Sequence, residues 1–259
     1  MQKITIKKIL KKKNKLPIAC LTAYTKNIAK IADKYCDIIL VGDSLGMVLY
    51  GMKTTRDVKI ETMILHAKAV KSITKRSLVV FDMPYKTYTN KFSAYKNAKR
   101  VIKLTKCDAI KLEGGIKIAK IIEHLVKKGI PVLGHIGLLP QTSSNFRVIG
   151  KSSIERKRIL KDALAISNSG AFGIIIECVV ENLAKKITRN IPIPTIGIGA
   201  GSDCDGQVLV LHDMLGITKD FSPRFLRRYA DLGESIDAAV KQYITDVRSK
   251  DFPSAEESY

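Results

Sequence analysis

Short runs of branched apolar residues recur along the chain, and most are followed by a longer segment whose apolar residues have helical spacing. A clear example is Ile38–Val41. A continuous apolar run of this length predicts a strand buried on both faces, as in a parallel sheet. The runs that predict strands are residues 15–21, 38–41, 77–81, 109–112, 130–133, 173–176, 194–198 and 207–211. Eight strands that mostly alternate with helices in 259 residues predict an α/β fold, a (β/α)8 TIM barrel.

An open doubly wound sheet is the rival architecture. The glycines of Ile196–Gly201 are typical of a dinucleotide site, but they come late in the chain and no clear helix follows them. No linker or change of composition divides the sequence. We therefore expect one barrel domain over residues 1–259. We also expect a short N-terminal helix with Ile4, Ile6, Ile9 and Leu10 on its inner face, and two closing helices within residues 223–248.

Charge and composition limit the partners. The formal net charge of +21 raises the possibility of nucleic-acid binding. The lysines, however, are spread over predicted helix faces and are not interleaved with aromatic residues, so we expect no specific nucleic-acid site. No apolar run is long enough for a membrane span. The five cysteines form no CxxC pair, which favours a reducing, cytoplasmic location.

Polar residues stand at the predicted carboxyl ends of several strands, where barrel enzymes carry their chemistry. These residues are Asp43, Ser44, Asp82, Glu113, His135 and Glu177. Four carboxylates in one pocket would repel one another unless a cation intervened, and oxygen ligands favour Mg²⁺. Two or three carboxylates are enough for that ion, which leaves one free to act as a base. Lys111 lies two residues before Glu113 and therefore shares its face of the strand.

Each of these residues also has a purely structural interpretation. Asp43 is a residue type that caps turns and helices. Lys111 could only balance Glu113, and His135 could be a turn histidine with no chemical role. His66, His124 and His212 are interpreted as structural.

Five motifs in order, from about residue 19 to residue 247, carry a resemblance to a known family. They are Val41–Met47, Lys111–Gly115, Gly134–Leu138, Ile176–Val179 and Ile196–Gly201, the last followed by Asp205-Gly206-Gln207. In these motifs the chain closely resembles the ketopantoate hydroxymethyltransferases. The resemblance implies a TIM barrel of the phosphoenolpyruvate/pyruvate Mg²⁺-enolate type.

The resemblance also implies roles for the matching residues. Asp43 and Asp82 resemble the Mg²⁺ ligands, and Glu113 the third metal-side carboxylate, acting through water. Ser44, Lys111 and His135, together with Asp43 and Asp82, resemble the contacts to the keto acid. Glu177 resembles the general base.

The implied reaction is the transfer of a hydroxymethyl group from 5,10-methylenetetrahydrofolate to 3-methyl-2-oxobutanoate. Its product, 2-dehydropantoate, leads to pantothenate and coenzyme A. The family also implies a homo-oligomer, a decamer. The alternatives are a Mg²⁺-dependent keto-acid lyase or mutase of the same barrel superfamily, and a basic nucleic-acid-binding protein.

Overall fold

The computed structural model describes residues 2–143 and 145–259. Met1 and Ser144 lie outside the described residues. The sequence predicts a loop over Leu138–Lys151, which includes Ser144. The chain forms two compact units, one that ends at Leu209 and one of Val210–Tyr259. The interpretation of residues 1–259 as one domain stays a prediction.

The first unit is a closed barrel of parallel strands in chain order, each paired with the next and the last paired with the first. The strands are β1 (Ile18–Thr22), β2 (Ile38–Val41), β3 (Leu78–Asp82), β4 (Ala109–Glu113), β5 (Val132–Gly137), β6 (Gly173–Glu177), β7 (Thr195–Ile198) and β8 (Gly206–Leu209). The predicted (β/α)8 barrel is confirmed, and the open doubly wound sheet is wrong.

The first unit also contains eight α-helices among its described residues. They are α1 (Ile6–Leu10), α2 (Lys26–Tyr35), α3 (Leu45–Tyr50), α4 (Ile60–Ile73), α5 (Lys91–Thr105), α6 (Ala119–Lys127), α7 (Ser153–Asn168) and α8 (Glu181–Asn190). Short 3₁₀ helices form at Thr55–Asp57 and Ile116–Ile118. The second unit contains α9 (Leu211–Met214), α10 (Leu232–Ser249) and a 3₁₀ helix at Ala255–Glu257.

The wall of the barrel separates two layers of apolar side chains. Successive side chains of a strand point to opposite faces. In β2, Ile38 and Leu40 therefore join the cluster inside the barrel, whereas Ile39 and Val41 join the cluster packed beneath the helices. This double burial explains why the strands read as continuous apolar runs in the sequence.

The N-terminal helix differs in detail from its prediction. Ile4 and Ile9 are buried and belong to the interior cluster of the barrel. Leu10 is exposed, contrary to the prediction, because neighbouring helical positions are rotated by about 100° and Ile9 already faces the core.

Two other stretches depart from the sequence-based assignment. The sequence predicts a long connection over residues 47–59, but these residues include most of α3 and a 3₁₀ helix. In the second unit only one helix, α10, forms within the predicted pair at residues 223–248. Before α10, Arg228 donates hydrogen bonds to the carbonyls of Lys219 and Phe221, and these bonds stabilise a non-helical conformation. α10 begins only after Asp231, whose side chain caps the helix.

The surface agrees with the interpretation of the charge. Of the lysines that the sequence assigned to helix faces, most are exposed, and the half-buried Lys71 is paired with Asp108 at 2.7 Å. Within residues 2–143 and 145–259, no helix combines the length and the apolar character needed to cross a bilayer.

Closure of the barrel depends on a buried carboxylate beside β8. The pairing of β7 with β8 extends over only two residue pairs. Asp205 connects the two strands in addition, because its carboxylate accepts hydrogen bonds from the backbone N–H and the hydroxyl of Thr195 in β7, at 2.8 and 3.1 Å. The same carboxylate is held by the ammonium group of Lys13 and the backbone N–H of Asn14, each at 2.8 Å.

We predict that Asp205→Ala lowers the free energy of unfolding by about 3–5 kcal/mol, because it leaves a mostly buried ammonium group and buried N–H groups without their acceptor. Denaturant unfolding of the variant and the wild type measures this difference. Asp203→Ala is the matched control, since Asp203 is partly exposed in its pair with Lys185 and should contribute less than about 1 kcal/mol. Equal effects of the two substitutions would contradict the assignment.

Candidate active site

The polar residues of the site continue the interior face of the strands. In β3, Leu78 and Val80 face the interior, and Asp82, two residues further on, is the next residue of that face. The same alternation carries Lys111 and Glu113 after Ala109 in β4. Both strands thus place apolar side chains at the bottom of the barrel and charged side chains near their carboxyl ends.

The two following strands repeat this arrangement. His135 follows the interior residue Leu133 in β5, and Glu177 follows Ile175 in β6. His135 lies within its strand, not after it as predicted, because β5 extends to Gly137. These side chains therefore converge on the mouth of the barrel.

Lys111 connects the carboxylates of β3 and β4. Its ammonium group donates to Asp82 Oδ1 and Oδ2 at 2.9 and 2.8 Å and to Glu113 Oε1 at 3.2 Å. All three side chains are buried. Lys111 is therefore engaged by the protein itself, in addition to any contact with substrate.

His135 lies between two carboxylates. Its Nδ1 is 3.2 Å from Glu113 Oε1, and its Nε2 is 3.3 Å from Glu177 Oε2. Both are ion-pair distances, although neither contact has the geometry of a good hydrogen bond. Glu177 is the more accessible of the two carboxylates, with 17% of its side chain exposed against 2% for Glu113.

Asp43 and Ser44 follow β2 and begin the turn into α3. The backbone N–H of Asp43 donates to Asp82 Oδ2 at 3.3 Å, so the two carboxylate-bearing residues are adjacent. Ser44 occupies the N-cap position of α3, but its side chain makes no capping hydrogen bond there. Its hydroxyl instead lies 2.8 Å from the hydroxyl of Tyr24.

The two aspartates are destabilised as anions. Burial raises the pKa of Asp43 well above its usual value, and the charge of Asp82 raises it further. Burial also raises the pKa of Asp82, although Lys111 opposes this effect. Two buried carboxyl groups with raised pKa values are stabilised in their ionised form by a cation.

Glu113 and His135 behave in the opposite way. Burial raises the pKa of Glu113, but Lys111 and His135 outweigh burial and bring it to about 2. Burial and Lys111 lower the pKa of His135, but Glu113 and Glu177 outweigh them and raise it to about 9. At neutral pH, Glu113 is therefore ionised and His135 carries a proton on each ring nitrogen.

The net charge of the charged residues at the mouth of the barrel is compatible with a bound divalent cation. The charged members are Asp43, Asp82, Glu113 and Glu177 against Lys111 and His135. With all four carboxyl groups ionised, the cluster would have a formal charge of −2. Carboxylate oxygens are ligands that Mg²⁺ prefers, and this ion is often held by one or two protein carboxylates, with waters and substrate completing its coordination. Asp43 and Asp82 therefore fit Mg²⁺.

Glu113 differs from the two aspartates. Its Oε1 faces Lys111 and His135, and its Oε2 accepts the backbone N–H of Gln141 at 3.1 Å. Within the described part of the chain, no three His, Cys, Asp or Glu side chains are grouped so that they could hold a metal ion. Glu113 as a metal-side residue stays a prediction, and with both oxygens engaged it would act through water.

Two neighbours of the candidate site residues were missed by sequence reasoning. Gln141 and Tyr88 are buried; the Gln141 side chain donates to Asp43, which follows β2, and the Tyr88 hydroxyl accepts the backbone N–H of Glu113 in β4. Both lie in loops several residues beyond a strand end, so neither strand nor helix spacing indicates where they fold. For Gln141 the sequence offered one signal, a polar residue directly after the apolar stretch Leu138–Pro140 that follows β5.

The backbone around Glu177 is conformationally special. Gly137 has a φ of +96°, and a Cβ at this position would lie 2.2 Å from the carbonyl oxygen of Glu177. Cys178 has a φ of +48°, an uncommon conformation for a residue with a side chain. Glycine at 137 and the turn at Cys178 together allow β5 to approach the carboxyl end of β6 closely.

Solved structures of low sequence identity share the fold. A phosphonopyruvate hydrolase complexed with oxalate and Mg²⁺ aligns with a TM-score of 0.64 at 12% identity, over 99% of this chain and 93% of that one. A 2,3-dimethylmalate lyase, a member of the PEP mutase/isocitrate lyase superfamily, aligns with a TM-score of 0.61 at 12% identity, over 98% and 90%. These similarities confirm the predicted barrel fold.

Proteins with much higher sequence identity to this chain identify its family. A protein of Pelagibacter ubique named 3-methyl-2-oxobutanoate hydroxymethyltransferase is 50% identical to this chain, over 98% of this chain and 99% of the relative. The one from Rhizobium etli is 50% identical over 100% of this chain and 96% of the relative. Residues 3–255 also match the family described as ketopantoate hydroxymethyltransferase. The predicted transferase class is confirmed, and the chain belongs to the ketopantoate hydroxymethyltransferase family.

Proposed function

We propose that this chain transfers a hydroxymethyl group from 5,10-methylenetetrahydrofolate to 3-methyl-2-oxobutanoate and forms 2-dehydropantoate, an intermediate of pantothenate and coenzyme A biosynthesis. The observation that carries the proposal is the division of the carboxylates. Asp43 and Asp82 lie next to each other, as a pair of cation ligands would, whereas Glu177 stands apart, more accessible and without a contact to Lys111. A reaction that needs both a Lewis acid and a base requires some carboxylates to hold the metal ion and another to remain free to accept a proton.

Asp43 and Asp82 would hold Mg²⁺. When bound, the ion would supply a Lewis acid for the negative charge that develops on the keto oxygen as an enolate forms. Lys111 and the protonated His135 add positive charge to the same pocket, which favours a carboxylate substrate. The hydroxyl of Ser44, oriented by Tyr24, can hydrogen-bond a substrate oxygen.

Glu177 would remove the proton from C3 of the keto acid. The charge of His135, whose Nε2 lies 3.3 Å from Glu177 Oε2, attracts the carboxylate, and Gly137 and Cys178 set its backbone. A positioned carboxylate base typically contributes about 10²–10⁴-fold to a rate. Overall, a carbon–carbon bond forms between C3 and the methylene carbon, and water supplies the hydroxyl group of the product. The two C–N bonds of the methylene carbon break, and the proton from C3 and the remaining proton of water end on the two nitrogens of the departing tetrahydrofolate.

A Mg²⁺-dependent keto-acid lyase or mutase is the alternative function, because the structures of similar fold include a phosphoenolpyruvate phosphomutase and a 2,3-dimethylmalate lyase. An assay with keto acid, 5,10-methylenetetrahydrofolate and Mg²⁺, each omitted in turn, separates the two. We expect 2-dehydropantoate only when all three are present. Conversion of the keto acid without folate would favour the lyase or mutase.

The assembly and location of the enzyme belong to the same proposal. α10 exposes Ile236, Val240 and Tyr243 along one face, each by more than 50%. Apolar side chains in this pattern are typical of interaction surfaces. We propose a homo-oligomer that acts in the cytoplasm on small molecules, without a specific nucleic-acid partner; light scattering of the purified chain measures the oligomeric state.

We predict that Asp43→Asn or Asp82→Asn weakens Mg²⁺ binding and removes most activity while the fold is retained, because each change removes one anionic ligand. Calorimetric titration with Mg²⁺ in the presence of keto acid measures the affinity. Asp237→Asn, on the exposed surface of α10, is the matched control. Wild-type affinity in both site variants would rule out these ligands.

We predict that Glu177→Gln retains Mg²⁺-dependent binding of the keto acid but loses exchange of the C3 hydrogen with deuterated water. Glutamine keeps the shape of the side chain and cannot accept the proton, so exchange and turnover should fall by similar factors, about 10²-fold or more. Proton NMR of the substrate follows the exchange without folate. Glu123→Gln, exposed on α6, serves as the control. Near-normal exchange in Glu177→Gln would remove Glu177 as the base.

A further inference from the structure

Gln141 is a fully buried residue of the loop after β5, and its polar groups all contact the site or its supporting loops. Its Nε2 donates to Asp43 Oδ2 at 2.8 Å and to the carbonyl oxygen of Met83 at 2.9 Å. Its Oε1 accepts a hydrogen bond of 2.5 Å from the hydroxyl of Tyr88. Its backbone N–H donates to Glu113 Oε2 at 3.1 Å.

The partners fix the orientation of the side-chain amide. The carbonyl oxygen of Met83 can only accept, so it requires the NH₂ end of Gln141. The hydroxyl oxygen of Tyr88 accepts the backbone N–H of Glu113 at 3.2 Å and can give its own proton to Gln141 Oε1. A flipped amide would direct NH₂ at Tyr88 and leave two acceptors, on Met83 and Asp43, facing an oxygen.

The backbone of Gln141 is held independently of its side chain. Arg56, in the 3₁₀ helix between β2 and β3, donates through Nε to the carbonyl of Gln141 at 3.1 Å and through Nη2 to that of Ser143 at 2.9 Å. These bonds attach the loop after β5 to the loop after β2. The amide of Gln141 therefore contacts Asp43 from a backbone that is fixed in place.

We propose that Gln141 is a positioning residue for the divalent cation, acting through Asp43. It fixes Oδ2 of that carboxylate, whereas among the described residues no hydrogen bond holds Oδ1. A ligand whose rotation is already restricted loses less freedom when the cation binds, and partners of metal ligands typically change metal affinity or activity about 10–100-fold. The inference rests on the proposed function only for the identity of the ion as Mg²⁺.

A merely structural role predicts something different. A buried glutamine that only satisfies its neighbours would, when replaced, lower the thermal unfolding midpoint without changing cation affinity. Gln141→Met separates the two roles, because methionine has nearly the same length and shape but forms none of the three side-chain hydrogen bonds. Gln242→Met is the matched control, since Gln242 is exposed and its side chain bonds only to Asp246 among the described residues.

The experiment is calorimetric titration of the full chain with Mg²⁺ alone, without keto acid or folate. We expect the dissociation constant to rise about 10–100-fold in Gln141→Met and to stay unchanged in Gln242→Met. Tyr88→Phe, which removes the donor to Gln141 Oε1, should shift the constant in the same direction by a smaller factor. It provides the test if Gln141→Met does not fold.

Wild-type Mg²⁺ affinity in a folded Gln141→Met, or in Tyr88→Phe where the first variant does not fold, would overturn the inference. The outcome is independent of the proposed reaction. Loss of Mg²⁺ affinity in an enzyme that proves inactive on the keto acid would support the role of Gln141 and contradict only the proposed substrate.

Discussion

The mouth of the barrel depends on one ammonium group, that of Lys111, between two buried carboxylates. Removing such charges from water costs several kcal/mol for each ion, and only close pairing in good geometry offsets it. Lys111 meets this condition, with two bonds to Asp82 and one to Glu113. Burial alone would lower its pKa, but the facing carboxylates raise it well above the usual value. The strands β3 and β4 are thereby joined by charge where their apolar interior ends.

The properties of the other site residues depend on the negative charge that Lys111 does not compensate. His135 continues the chain of charges from Glu113 to Glu177, so the proposed base is oriented but is not neutralised by lysine. The excess negative charge remains at Asp43 and Asp82, where the pKa values are raised and a divalent cation fits. In the proposed function, cation binding and proton removal therefore belong to different carboxylates of one continuous network.

Much of this arrangement could be predicted from the sequence, because strand alternation is a local property. The spacing of Lys111 and Glu113 put both on one face, and the apolar runs gave the barrel. The contacts of Gln141 could not be predicted, since a loop residue folds back according to tertiary partners such as Arg56. The second helix expected before α10 failed for a similar reason: helical spacing competed with hydrogen bonds from Arg228 that support irregular chain.

The coupling between Lys111 and Asp82 tests most directly the claim that their pairing organises the site. It is measured as a double-mutant cycle in the free energy of unfolding, with Lys111→Met, Asp82→Asn and the double variant. Lys111→Met should be destabilised by about 3–5 kcal/mol, because it leaves buried carboxylates unpaired. The double variant should be more stable than the sum of the single effects predicts, by about 1 kcal/mol or more. Additive effects, or a Lys111→Met variant as stable as the wild type, would contradict this account.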